Sequence, residues 1–117
     1  MSERTAAQRT REPLRNCIER CEDCHDVCME AVPGFLQGSR AHGQYLLVRL
    51  LLDCAQICDA TRELMLRSSD FYRQLCDLCA QVCERCAQAC EREGADPMLA
   101  RCAEECRRCA AACRDVG

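Results

Sequence analysis

Aromatic residues, which fill the core of most small domains, are nearly absent from this sequence. The chain of 117 residues has no Trp, two Phe and two Tyr. A chain of this length corresponds to one domain, and interiors are ordinarily built from Leu, Ile, Val and Phe. This chain contains 15 Cys instead. The sequence therefore predicts one domain over residues 1–117 whose interior depends on cysteine, with residues 1–5 as a flexible N-terminus.

Basic patches and long apolar runs are also lacking. The net charge is −3 and charges of both signs are interspersed, which argues against a nucleic-acid partner. The longest apolar run, Tyr45–Leu52, is broken by Arg49 and is too short to span a bilayer. The N-terminal residues contain neither an apolar signal segment nor a twin-arginine pair. We therefore expect a cytoplasmic protein with no membrane partner, in a compartment where many cysteines indicate metal binding rather than disulfides.

Turn-forming residues interrupt the chain at three places. They are Val32–Gly34, continuing to Gly38, Ser39 and Gly43, then Arg67–Asp70, and finally Glu93–Pro97. In the third, Gly94 suits a helix C-cap, Asp96 an N-cap and Pro97 the first helical position. The segments between the breaks predict four helices of similar length, at residues 6–32, 43–67, 70–92 and 97–115. Two short connections and four such helices predict an all-α fold, an antiparallel up-down-up-down four-helix bundle with a Cys-lined core.

The cysteines follow one another at alternating spacings of three and four residues. At about 100° per residue this spacing holds all the cysteines of one helix on a single narrow face, the face that packs against partner helices. One or two such cysteines would be read as small apolar core residues. Fifteen on packing faces indicate metal ligands, namely Cys17, Cys21, Cys24, Cys28, Cys54, Cys58, Cys76, Cys79, Cys83, Cys86, Cys90, Cys102, Cys106, Cys109 and Cys113.

The antiparallel order predicts the depth of each cysteine in the bundle. We expect one end to hold Cys17, Cys76 and Cys113 (the Cys17 end) and the other to hold Cys28, Cys90 and Cys102 (the Cys28 end). The two cysteines of the second helix, Cys54 and Cys58, are predicted at intermediate depth. Toward the Cys28 end the inward face of that helix continues with leucines, and toward the Cys17 end it continues with Met65.

Thiolates select soft cations, which are monovalent copper, zinc and the iron of iron–sulfur clusters. One Cu⁺ per thiolate leaves a buried core neutral, whereas a Cys₄ zinc site carries a charge of −2. Two cysteines at i and i+3 or i+4 lie close enough to hold a two-coordinate ion. Iron–sulfur clusters need ligands in fours, and no such grouping is evident. The favoured cofactor is therefore Cu(I), as multiple ions. Zinc or iron–sulfur binding, with a structural or redox role, remains the alternative.

Four further side chains are candidate ligands at the mouths of the thiol-lined core. Thioether and imidazole are metal ligands of intermediate to soft character, and the candidates are His25, His42, Met65 and Met98. Each has a plainer interpretation, because a methionine is more often a core filler and a lone histidine more often a surface residue. No arrangement typical of an enzyme active site appears, and no strand pattern surrounds a Cys-x-x-Cys as a thioredoxin-like fold requires.

The second helix is apolar nearly all round over Tyr45–Leu52, and such a helix is buried on all sides. In a small bundle that predicts a subunit interface, with Phe35 and Leu36 included in it. We therefore expect a homo-oligomer.

Three stretches of the chain resemble the bacterial copper storage proteins. They are Cys54–Cys58, Cys76–Cys90 and Cys102–Cys113, and the first helix matches in its cysteine spacing. The resemblance implies a four-helix bundle that stores or buffers many Cu(I) ions on core thiolates, without catalysis, and often a tetramer. The absence of an export signal resembles the cytosolic members. These tend to carry histidines between the third and fourth helices, whereas the segment Glu91–Pro97 has none.

Overall fold

The computed structural model describes residues 5–37, 45–94 and 96–116, and it describes the side chains of all of these except 6–10 and 37. Four helices account for nearly all of these residues. They are α1 (Ala6–Gln37), α2 (Tyr45–Leu66), α3 (Tyr72–Glu91) and α4 (Pro97–Val116). The predicted all-α class and the number of helices are confirmed. The expected flexible N-terminus falls mainly on residues 1–4, outside the described part.

The helices form a closed ring in which each packs on two neighbours. The packed pairs are α1 with α2, α2 with α3, α3 with α4, and α4 with α1. Side-chain contacts fix the directions. Cys17 in the first half of α1 lies 3.5 Å from Cys113 near the end of α4, and Cys28 lies 3.5 Å from Cys102 near the start of α4. The same reversed order holds for α2 with α3 (Cys54 with Cys83, Cys58 with Cys79), for α3 with α4 (Glu84 with Arg114, Glu91 with Arg107) and for α1 with α2 (Glu22 with Arg62, Cys24 with Cys54). Neighbouring helices are therefore antiparallel, and the ring encloses one central axis.

The helix ends follow the predicted turn chemistry between α3 and α4, but not between α2 and α3, where Phe71 occupies the N-cap of α3 and no side chain caps the helix. Gly94 after α3 has φ +78°, the left-handed conformation that glycine adopts without a steric penalty. The Asp96 carboxylate accepts hydrogen bonds from the backbone N–H groups of Met98 (3.0 Å) and Leu99 (3.3 Å), which is an N-cap for α4. Between α2 and α3 the Ser69 hydroxyl accepts from the Phe71 N–H at 3.1 Å, and α3 begins at Tyr72, two residues after the predicted start.

The predicted break at Val32–Gly34 is wrong, because α1 continues through it to Gln37. Proline lacks the N–H that an interior helical position donates, yet the helix persists because both sides of Pro33 are anchored. Ala31 before it and Phe35 after it are buried, with 2% and 6% of their surfaces exposed. Burial of Phe35 also corrects its predicted place in a subunit interface.

The core is built almost entirely from small side chains. All 15 Cys are buried, together with seven Ala, and the larger apolar members include Phe35, Leu47, Leu51, Met65 and Leu99. Cysteine thus occupies the inward face of every helix, and thiols fill the centre of the bundle at most levels along its axis.

Candidate metal centre

Every cysteine side chain points into the bundle and carries a free thiol. Each is at most 1% exposed. The shortest Sγ–Sγ distance is 3.5 Å, far beyond the roughly 2.05 Å of a disulfide. The expectation that all cysteines share one buried axis is therefore confirmed as geometry, and disulfide pairing is absent from the described residues.

The thiols form five sets in which all the Sγ atoms lie within 4.8 Å of one another. Consecutive sets share members, so the sulfurs form one continuous column rather than separate sites. From the Cys17 end to the Cys28 end, the sets are Cys17/Cys76/Cys113, then Cys21/Cys79/Cys109/Cys113, then Cys24/Cys58/Cys83/Cys109, then Cys24/Cys28/Cys54/Cys106, and finally Cys28/Cys86/Cys102/Cys106.

The predicted depths agree with this column. Cys17, Cys76 and Cys113 form the terminal set at their end, and Cys28 and Cys102 belong to the set at the other. Cys54 and Cys58 lie in the two sets nearest the middle. Cys90, beyond the last set, neighbours Cys86 and Cys102.

The short sulfur contacts run mainly between helices, which the spacing within each helix does not reveal. Cys54 on α2 lies 3.7 Å from Cys83 on α3 and 3.8 Å from Cys24 on α1. Cys58 lies 3.7 Å from Cys79 and 3.9 Å from Cys109. Cys79 and Cys83, 3.8 Å apart, are a close pair within one helix. Besides the expected pairs along a single helix, a thiol such as Cys54 therefore has close sulfur neighbours on other helices, so that three helices contribute to one group of thiols.

No cationic side chain balances the thiols. Among residues 5–37, 45–94 and 96–116 with described side chains, Thr61 is the one buried polar or charged residue, and its hydroxyl donates to the Ile57 carbonyl oxygen at 2.6 Å. The arginines and carboxylates lie outside, where several pair across helices; the guanidinium of Arg107, for example, donates to both oxygens of Glu91. Any positive charge inside the column must come from a bound ion.

Mutual hydrogen bonding spreads the pKa values of the thiols. Hydrogen bonds from Cys106 and Cys28 stabilise the thiolate of Cys102 and lower its pKa to about 5. In contrast, the pKa of Cys76 is raised to about 12, first by its hydrogen bond with Cys113 and also by burial. Cys76 and Cys102 therefore differ in protonation at neutral pH, while the pKa values of Cys28 and Cys90, at the same end as Cys102, are raised.

Among the candidate ligands other than cysteine that the structure describes, Met65 contacts a thiol. It is 1% exposed, and the Cys76 thiol donates to its Sδ at 3.9 Å. Met98 is 36% exposed and lines a surface hollow of about 230 Å³ with Glu30, Phe35 and Asp96. His25 is on the surface with Nδ1 2.9 Å from the Asp26 carboxylate. His42 lies outside the described residues.

The wall contributed by α2 is apolar near the Cys28 end. Leu47 and Leu51 take the inward positions there, with 5% and 0% of their surfaces exposed. At that level thiols come from α1, α3 and α4 only, as the set Cys28/Cys86/Cys102/Cys106 illustrates. The column is thus enclosed by four helices in its middle and partly by leucine near this end.

A closed bundle lined by a continuous column of reduced, buried thiols defines a multi-ion, soft-metal-binding protein. The sequence over residues 3–117 matches the copper storage protein family. The chain belongs to that family.

Solved structures of family members superpose on nearly the whole chain. The Cu(I)-bound copper storage protein BsCsp3 is 33% identical with a TM-score of 0.83, over 89% of this chain and 97% of that one. A cytosolic copper storage protein from Streptomyces lividans, in a structure of copper loading with five coppers, is 30% identical with a TM-score of 0.87, over 92% and 93%.

A curated relative matches a shorter segment. The uncharacterized cysteine-rich protein YhjQ of Bacillus subtilis strain 168 is 36% identical over 64 residues, which are 55% of this chain and 59% of that protein. In the described part of the chain, no helix is both long and apolar enough to cross a membrane.

Proposed function

We propose that this protein stores or buffers Cu(I) in the cytoplasm, as many ions bound by the fifteen thiols of the column. The observation that carries the proposal is continuity: neighbouring sets of thiols share cysteines from one end of the bundle to the other. A storage protein needs capacity, and a shared column gives capacity because each ion uses sulfurs that also belong to the next site.

Sulfur spacing suits Cu⁺ in its usual low coordination numbers. With a metal–sulfur bond of about 2.3 Å, two sulfurs on opposite sides of an ion lie about 4.6 Å apart and three around it lie about 4.0 Å apart. Contacts of 3.5–4.0 Å between individual thiols and sets within 4.8 Å bracket these values. Loading therefore requires displacements of less than about 1 Å, which side-chain rotation supplies.

Electrostatics favours a monovalent ion. With no cation buried among the described side chains, each thiolate needs its own positive charge in a low-dielectric interior. One Cu⁺ per thiolate achieves neutrality, whereas Zn²⁺ in a Cys₄ site leaves two negative charges.

Overlap of the sets also limits the number of zinc ions that can bind in separate sites. Of the four sets with four cysteines, no more than two can be chosen without sharing a thiol, for example Cys21/Cys79/Cys109/Cys113 with Cys28/Cys86/Cys102/Cys106. Zinc in separate tetrahedral sites would therefore saturate near two ions. The tetrahedral sets make structural zinc the second candidate, and the two ions differ in expected stoichiometry.

An anaerobic titration of the reduced protein with Cu⁺ against a competing chelator tests the proposal. We expect many equivalents of copper, approaching the 15 cysteines, and about two of Zn²⁺ in a parallel titration. Saturation at one or two copper ions would overturn the storage function. An iron chromophore in the freshly purified protein would instead support an iron–sulfur centre.

A role without catalysis is supported by the burial of the thiols, each of which is at most 1% exposed in the described part of the chain. Cytoplasmic location is supported by the similarity to a relative described as cytosolic, and by the reduced thiols that the site needs. Fractionation of the native cells with detection of the protein tests it; recovery outside the cytoplasm would contradict it.

We also propose that the protein is a homo-oligomer that associates through α2. Leu46 and Leu52 on this helix are 72% and 42% exposed, and Leu46 and Leu50 line a groove of about 580 Å³ beside Arg85 and Ala89 of α3. Charged and polar residues such as Arg49, Asp53 and Arg92 line the rest of the groove, and exposed apolar side chains rimmed by polar residues are typical of interaction sites on soluble proteins. The similarity to copper storage proteins favours a tetramer.

A charge placed on α2 tests this interface. Leu46→Glu should lower the molar mass measured by light scattering to that of a smaller assembly, while copper bound per chain stays unchanged. Phe71→Glu is a matched control, because Phe71 is 65% exposed but lies in the turn before α3. A wild-type mass equal to one chain would refute the proposal.

A further inference from the structure

We infer that Met65 is a copper ligand whose thioether completes a terminal site with the three thiols of the Cys17 end, an inference that rests on the proposed Cu(I) function. The Sδ atom of Met65 lies 3.9 Å from Cys76 Sγ. Cys76 in turn lies within 4.8 Å of both Cys17 and Cys113. This end has a set of three thiols, whereas each of the other sets has four, and Met65 supplies a fourth sulfur.

The backbone holds Met65 in place. It lies in the last turn of α2, where the Ser68 N–H donates to the Met65 carbonyl oxygen at 3.1 Å and the Ser69 N–H donates to that of Leu64 at 2.9 Å. Ser68 adopts φ +52°, the left-handed conformation that ends many helices. A side chain with 1% exposure on a capped last turn has little freedom to turn away from the column.

Beyond Met65 three partly buried apolar side chains pack against the core. Leu14 lies three residues before Cys17, Tyr72 four before Cys76 and Val116 three after Cys113. They lie about one helical turn beyond the terminal thiols, and Met65 itself is 1% exposed. Met65 is therefore an interior donor and not a surface ligand that meets incoming ions.

A thioether suits this position chemically. It is a soft donor that carries no charge, so it adds coordination for Cu⁺ without adding a negative charge at a buried end. A fourth cysteine would need a further cation. A methionine that serves only as filler would do the same packing as leucine, and its sulfur would remain without copper when the protein is loaded.

Selenomethionine replacement tests the assignment directly. The probe is X-ray absorption at the selenium edge of copper-saturated protein carrying Met29→Leu and Met98→Leu, both of which are exposed positions. Selenium then remains at Met65 and Met1. We expect copper in the first shell of selenium, and loss of that signal when Met65→Leu is added. Circular dichroism of the apo proteins checks that the helices are unchanged.

The outcomes separate this inference from the storage function. Copper–sulfur scattering at the copper edge without copper next to selenium would overturn the role of Met65 and leave storage intact. A copper–selenium signal that persists in the Met65→Leu protein would assign it to Met1 and also overturn the inference. Absence of copper–sulfur scattering would refute the storage function itself.

Discussion

Cys83, in the middle of the column, shows how much a single cysteine is expected to contribute to copper capacity. Cys83 has Sγ within 4.0 Å of Cys24, Cys54, Cys58 and Cys79. We expect Cys83→Ala to reduce the bound copper by about one ion, because one thiolate neutralises one Cu⁺. Alanine is a good helix former, and loss of one small buried group costs about 1 kcal/mol. Chelator-competition titration measures the capacity and urea unfolding measures the stability.

A change of similar size without sulfur serves as the control for Cys83→Ala. Val82→Ala alters a partly buried neighbour on the same helix and should leave the copper capacity unchanged. If Cys83→Ala unfolds the apo bundle while Val82→Ala does not, packing rather than binding is the role of this cysteine.

The opposite pKa shifts of Cys76 and Cys102 predict whether copper displaces a proton from each of these two thiols. Cys76, with its pKa raised to about 12, is protonated at pH 7 and must release a proton on binding, so binding there strengthens as pH rises. Cys102, with its pKa lowered to about 5, is already a thiolate and releases none. In a pH-stat titration at pH 7, Cys76→Ala should lower total proton release by about one per chain, and Cys102→Ala should leave it unchanged.

Equal losses of proton release in the Cys76→Ala and Cys102→Ala proteins would contradict this difference between the two thiols. Measuring bound copper in the same samples separates an altered proton count from an altered number of ions.

Residue spacing was sufficient to predict which side chains face the axis, but not which thiols meet. The alternation of three and four residues fixes the face of each helix without reference to its partners. The contact of Cys54 with both Cys24 and Cys83 depends on the rotation and axial offset of α1, α2 and α3, which no spacing within one helix encodes. The position of Met65 beside Cys76 depends on the same offset.

At the scale of the element, substitutions of Gly34 and Gly94 by alanine are expected to have opposite effects on the free energy of unfolding. An alanine Cβ at Gly34, inside α1, would meet nothing within 4 Å, so Gly34→Ala should stabilise the apo protein by about 0.5–1 kcal/mol. Gly94 has φ +78°, and Gly94→Ala should destabilise by about 1 kcal/mol. The urea midpoints of the two variants should therefore move in opposite directions, and destabilisation by Gly34→Ala would show that the last turns of α1 are not helical in solution.

The length of α1 shows that tertiary packing can override the local sequence preference for a helix end. Pro33 and Gly34 together predict a helix end, because proline removes a backbone donor and glycine lowers helix propensity. Phe35 nevertheless packs into the core at 6% exposure, and burying a side chain of this size is worth about 1.5–3 kcal/mol, which offsets much of the roughly 4 kcal/mol that proline and glycine together cost in a helix interior. Burial of Ala31 on the other side of Pro33 adds to this gain. The break before α4 was predictable because Asp96 and Pro97 act through local hydrogen bonds and backbone angles alone.

At the scale of the whole molecule, the antiparallel ring follows from four helices joined by short connections, and the sequence suffices to predict it. The same architecture makes copper a cross-link between helices. The set Cys24/Cys58/Cys83/Cys109 takes one thiol from each of α1, α2, α3 and α4. An ion bound there must hold several helices together, which a site on one helix would not do.

Copper should therefore raise the melting temperature progressively as the column fills. A site at 100 times its dissociation constant contributes about 2.7 kcal/mol if the unfolded chain does not bind, and 1 kcal/mol corresponds to about 4 °C for a domain of this size. The unfolded chain keeps its fifteen thiols and competes for copper, so the rise per ion will be smaller. Anaerobic melting monitored by circular dichroism at increasing copper, with return to the apo value on chelation as the control, measures the effect. A plateau after one or two equivalents would show that most ions bind without bridging the helices.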